Sequence, residues 1–170
     1  MIELPESKVL AKLGTKLFKG LEIVDVKALS STHKFCWMNE KPEVMEESLL
    51  YKKIKAVKSS AHYLRFIFED DFELACAEDV TLNYQKEVND KDKHQLLLTF
   101  DNGYSLLFKV KLYGFIVYGE EAQLKESMQY YKVALESIDP LSKDFSYDYF
   151  LDVTEINLGK GSVKQALATN

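Results

Sequence analysis

The 170-residue chain holds a single arginine, Arg65, among its 22 basic residues. Arginine supplies the planar fork that clamps phosphates in bidentate fashion. Its scarcity argues against a surface that grips nucleic acid through guanidinium groups and leaves that task to lysine. Cysteine is also scarce: Cys36 and Cys76 lie far apart and form no C-x-x-C pair. The chain therefore offers no four-ligand zinc site, no cofactor is expected in it, and the two cysteines read as reduced thiols. No apolar run reaches the roughly 18 residues of a membrane-spanning helix. The charged start lacks the apolar core of a signal peptide, so the expected location is cytoplasmic, with no membrane partner.

Positive charge is short overall, at a net −5. Its distribution is uneven: residues 1–58 carry eleven Lys against eight acids, and residues 59–170 carry eleven basic residues against nineteen acids. Phosphate contacts are therefore expected mainly from the first third of the chain. Apolar residues make up 46%, ordinary for a globular protein and enough for a sizeable core.

Pro5 suits the first turn of a helix, where its missing N–H costs nothing. Val9, Leu10, Leu13 and Leu17 follow at helical spacing, with Gly14 as a stop or kink. Residues 21–29 read as a β-branched strand, and residues 42–50 as a short helix with Pro42 at its start and Glu43, Glu46 and Glu47 near its positive end. An antiparallel block follows. A three-residue loop, Glu69-Asp70-Asp71, pairs Phe68 with Phe72 and places Leu64, Phe66, Phe68, Phe72, Leu74 and Cys76 on one face.

Asn102-Gly103 invites a two-residue hairpin turn, but that register pairs Phe100 with Ser105 and Leu96 with Lys109. A three-residue loop with Gly103 left-handed pairs Phe100 with Tyr104 and aligns Leu96, Leu98, Phe100, Tyr104, Leu106, Phe108 and Val110. A one-residue slip would turn that whole face to water, so the longer loop is expected. Residues 114–118 add a further strand. Leu124, Met128, Tyr131 and Leu135 fit one helix stopped by Asp139-Pro140. A helix over 147–153 and a last one capped by Ser162 through Ala168 complete the pattern. The expected fold is mainly β: a two-layer antiparallel β-sandwich with flanking helices over residues 1–138, and the start of a helical domain over 139–170.

The opening Met1-Ile2-Glu3-Leu4-Pro5-Glu6 resembles the amino terminus of the formamidopyrimidine-DNA glycosylase and endonuclease VIII family, which opens Met-Pro-Glu-Leu-Pro-Glu. Further stretches resemble the family in the same order: Ile54 to Leu64, the hairpin from Leu98 to Leu106, Asp139 to Phe145, and Val163 to Asn170. The resemblance implies a β-sandwich, a helix-two-turn-helix half and a zinc finger beyond this chain, damaged double-stranded DNA as partner, and base-excision chemistry on a flipped-out base. In the family the Met is removed and the Pro nitrogen attacks the sugar. Ile2 stands at that position, which leaves the Met1 amine as the nucleophile candidate. Glu3 matches the proton-shuttling acid and Glu6 a further acid of the motif. His62 stands where the family carries a phosphate-binding Lys. It also shares parity with Leu64 and Phe66, so an edge-of-core role is equally open.

The segment Lys109-Val110-Lys111-Leu112-Tyr113-Gly114 looks most like the family's void-filling stretch. Lys58, His62, Lys111 and Tyr113 are thus the candidate DNA contacts. Two functions are expected to compete: a glycosylase domain, and a catalytically inactive DNA- or protein-binding module on the same fold.

Overall fold

The computed structural model describes residues 2–89 and 91–158, with the side chains of 155–158 left aside. The expected helix capped by Ser162 and the segment Val163 to Asn170 lie outside the described residues, as does Met1. Two compact units are present, Met1–Leu135 and Glu136–Asn170. In order the elements are α1 (Leu4–Phe18), β1 (Ile23–Ala28), β2 (Cys36–Met38), α2 (Pro42–Leu49), β3 (Ile54–Ser60), β4 (Tyr63–Phe68), β5 (Phe72–Gln85), β6 (Leu96–Phe100), β7 (Ser105–Glu120), α3 (Glu121–Ser127), α4 (Gln129–Glu136) and α5 (Tyr147–Leu158). Among the described residues no helix is long and apolar enough to cross a membrane.

Among the described residues, seven strands form one mainly antiparallel sheet in the order β1-β6-β7-β5-β4-β3, with β2 pairing β7. Two long strands make this a two-layer structure. The first half of β5 pairs with β4 and with residues 114–120 of β7, and its second half pairs with residues 105–110 of β7, of which 105–108 in turn pair with β6. The register shifts between Glu78 and Val80, and there both strands pass from one layer to the other. Phe66 on β4 meets Phe108 on β7 across the interior, ring centroids 5.7 Å apart. Phe18 of α1 packs on Phe66 at 5.9 Å and Phe100 at 5.5 Å.

Both hairpins take the expected registers. Leu64 faces Cys76 and Phe66 faces Leu74, with Asp71 left-handed in the loop. Leu96 faces Phe108 and Leu98 faces Leu106, with Gly103 at φ +79° and the Phe100 N–H donating to the Tyr104 carbonyl. Tyr104 is the exception to its face: it sits at the rim and stacks on Tyr84 at 5.0 Å.

Four expectations are corrected. Residues 114–118 are no separate strand but the second half of β7. Gly114 marks the corner, where an added Cβ would lie 2.8 Å from Val80 Cγ2. The sheet itself is antiparallel as expected apart from the short β2, which runs parallel to β7. The helix expected over Leu124 to Leu135 is two helices, with Met128 extended between them; Leu124 and Tyr131 are still buried together. Finally, Val9, Leu13 and Leu17 do not face the core. They are exposed, and α1 buries Ser7, Ala11, Gly14 and Phe18 instead. Neither stop nor kink, Gly14 is the point of closest approach to β3. A Cβ there would lie 3.1 Å from three side-chain atoms of Val57.

Candidate functional site

The start of the chain is held by backbone and hydroxyl groups. Glu3 is the N-cap of α1, and its N–H donates to the Glu6 carboxylate at 3.1 Å, the N3-to-N-cap half of a capping box. Ser7, one turn further on, is buried. Its hydroxyl lies 2.7 Å from the Ala61 carbonyl, 2.7 Å from Ser59 Oγ and 2.9 Å from the Leu4 carbonyl. A hydroxyl has one proton and two lone pairs, so Ser7 serves one carbonyl and accepts from Ser59. This fixes α1 against the turn between β3 and β4, which carries His62. Ser7→Ala is expected to cost about 1–3 kcal/mol by leaving those groups short of a partner, read by urea denaturation.

Ile2 is buried, and its N–H donates to the Glu78 carbonyl at 2.8 Å. Glu78 sits at the strand corner with φ +66°, a left-handed conformation costly for a residue with a Cβ. The same residue turns its carboxylate toward His62, Oε1 to Nε2 3.6 Å. The His62 ring lies 4.6 Å from that of Tyr63. Burial, Glu78 and Tyr113 together push the Tyr63 phenol up to about 12. The fold thus gathers Ile2, His62, Tyr63, Glu78 and Tyr113, brought from the segment ahead of α1, the β3–β4 turn with the start of β4, and the corner of β5 and β7.

Burial lowers the His62 pKa, and the Glu78 carboxylate only partly offsets it. A histidine depressed in the folded state binds fewer protons there than in the unfolded chain. Its contribution is complete above the unfolded value near 6.5 and is lost as pH falls through the folded value. Stability is therefore expected to decline on acidification below about pH 6.5. The His62→Gln variant should show a flatter decline when urea midpoints are compared across pH.

Among the described residues, the other candidates are exposed. Glu3 and Glu6 are exposed and bonded to each other in the cap. Lys58 is exposed on β3 opposite Arg65. Lys111 is exposed beside Leu112 and Tyr113, which are 72% and 47% accessible, so the corner of β7 projects two apolar side chains and a cation into solvent. Arg65 is elsewhere and buried: it pairs with Glu73 at 2.6 Å and Glu121 at 2.6 Å, and its Nε donates to Tyr131 Oη at 2.9 Å. Among the described residues no cluster of His, Cys, Asp and Glu is placed to hold a metal ion. Sequence reasoning missed Glu78. The available signal was that Glu78 interrupts the apolar parity of Phe72, Leu74, Cys76, Val80 and Leu82.

No family model and no curated protein matches the sequence. Solved structures do. A Lactococcus lactis formamidopyrimidine-DNA glycosylase, non-covalently bound to DNA with an abasic site, is 20% identical with a TM-score of 0.72, over 88% of this chain and 56% of that one. MutM bound to DNA containing carbocyclic 8-oxo-G is 21% identical with a TM-score of 0.71, over 88% and 56%. The Lactococcus lactis enzyme with Fapy-dG DNA is 21% identical with a TM-score of 0.63, over 75% and 48%. The chain spans about half the length of these proteins. With its bent two-layer sheet, its corner at Glu78 and its amino-terminal helix, this chain has the fold of the amino-terminal domain of the formamidopyrimidine-DNA glycosylases.

Proposed function

We propose that this chain is a DNA-binding module on the glycosylase fold that does not carry out the family's covalent chemistry. One observation carries the reading. The nitrogen at the position of the family's nucleophile is the Ile2 peptide N–H, which is buried and donates to the Glu78 carbonyl at 2.8 Å. A peptide nitrogen has no available lone pair with which to attack a sugar, whereas an amine does. The matched structures are complexes with abasic or base-damaged DNA, and this supports damaged double-stranded DNA as the partner here. The projecting Lys111, Leu112 and Tyr113 suit contact with a phosphate and a wedge into a base step. Residues 1–138 act as the sandwich domain, and 139–170 open a helical one.

The test is borohydride trapping with duplexes carrying an abasic site or an oxidised base. No adduct is expected, alongside weak duplex binding that falls steeply as salt rises, since lysine neutralises the phosphates. An efficient adduct mapped to Met1 would sink this reading in favour of an active glycosylase, and one mapped to a lysine would show that another amine has replaced the proline. With no adduct from the unmodified chain, Ile2→Pro combined with His62→Lys asks whether those two positions carry the defect.

A further inference from the structure

The pairing of β2 with β7 extends the corner at Lys111 and Tyr113 to two further aromatic rings, Trp37 and Phe115, that the glycosylase-type site does not use. Alternation along the strands turns Cys36, Met38 and Ile116 toward the core and Phe35, Trp37, Tyr113 and Phe115 to the opposite face. Trp37 stands directly across from Phe115 in the parallel register. Their ring centroids are 5.7 Å apart with planes inclined 73°, and Phe115 meets Tyr113 at 5.0 Å and 79°. The three rings form a continuous row locked edge to face, a geometry that fixes each plane while leaving other faces open. Phe115 is partly buried against the cluster of Tyr63, Leu124 and Tyr131 beneath α3 and α4. Beyond it Phe35, Trp37 and Tyr113 remain 54%, 44% and 47% accessible.

Two lysines accompany these aromatic residues in sequence. Lys34 Nζ lies 5.4 Å over the Phe35 ring, and Lys111 is exposed beside Tyr113. Trp37 also lines a cleft of about 300 Å³ together with Thr32, His33, Cys36 and Glu40, among others. Rigid open rings accompanied by lysines complement an anionic backbone carrying unpaired flat bases, the combination by which proteins hold single strands. A purely apolar partner would not call for the flanking charge.

We propose that the Trp37–Phe115–Tyr113 row is a stacking platform for unpaired bases of a single-stranded segment. Such a segment would adjoin the duplex contact already described, so the proposal rests on that DNA-binding reading. Trp37 is the sole tryptophan of the chain, and its emission reports this surface alone. The probes are an oligodeoxythymidine, an abasic oligonucleotide of equal length, and a fully paired duplex, each end-labelled so that anisotropy reads binding independently of emission. The oligodeoxythymidine is expected to quench Trp37, whereas the abasic strand, with phosphates but no bases, should bind more weakly and leave emission unchanged. Trp37→Ala should weaken oligodeoxythymidine binding about 5- to 100-fold, and Trp37→Phe should recover much of it. Trp37 is exposed, so both variants are expected to fold, and circular dichroism checks this. Duplex binding with no quenching by any strand, and equal affinity for the thymidine and abasic strands, would overturn the platform and leave the duplex reading standing. Failure of all three probes to bind would overturn both. A concentration-dependent blue shift of Trp37 without DNA would assign the surface to self-association and overturn the platform as well.

Discussion

Arg65→Ala is expected to lower the free energy of unfolding by about 3–5 kcal/mol. The arginine is 6% accessible and its main partner Glu73 only 1%. Arg65 donates to Glu73, to Tyr131, to Glu121 and, at 3.1 Å, to Ser60 Oγ. Tyr131 in turn donates to the Glu73 carboxylate. Truncating the arginine leaves a carboxylate in the interior with a single phenol to face it, and an uncompensated buried charge is among the costliest single changes a fold can suffer. Truncating Glu73 is expected to do less, because Arg65 keeps Glu121, whose side chain is 52% accessible. The discriminating measurement is a urea series on Arg65→Ala, Glu73→Ala and the pair Arg65→Met with Glu73→Leu. The apolar pair should recover most of the loss, since two matched apolar groups remove both desolvated charges. A double variant no better than Arg65→Ala would show that the pair is needed for more than charge balance. The network also explains why the chain's one arginine is unavailable to phosphate: it ties β4 and β5 to α3 and α4.

Gly14→Ala comes next, and here the sign is the informative part. In an exposed helix interior the swap stabilises by about 0.5–1 kcal/mol. Here it is expected to destabilise by about 1–3 kcal/mol, the range for overpacking a tight contact. The new Cβ would lie 3.1 Å from the Cβ and both Cγ atoms of Val57. Val57 has little room to yield. It is buried and β-branched, and both of its backbone groups are bound by the Thr15 hydroxyl, N–H to Oγ1 2.8 Å and Oγ1 to carbonyl 2.8 Å. Adding Val57→Ala to Gly14→Ala should restore part of the loss, and thermal melts of the two single variants and the pair give the coupling. A stabilised Gly14→Ala would mean that α1 stands further from β3 than the structure places it.

Much of the fold was legible in the sequence wherever a period of two left no choice. The hairpins around Glu69-Asp70-Asp71 and Asp101-Asn102-Gly103 take their registers because any slip would expose Leu64, Phe66 and Leu74, or Leu96, Leu98 and Phe108. Pro42 opened α2, and Pro5 lies in the first turn of α1. The opening motif and the later hairpin carried the resemblance, and the fold agrees with it. Tertiary contacts decided the rest. Which face of α1 is buried could not be read from hydrophobicity. Close approach to β3 admits Ser7, Ala11 and Gly14 because they are small, and the larger Val9, Leu13 and Leu17 are left outside. The candidate site is likewise a product of distance in sequence closed by folding. Ile2, His62, Glu78 and Tyr113 share no local pattern, and they meet only because β5 and β7 turn a corner at the one carboxylate that interrupts an apolar alternation.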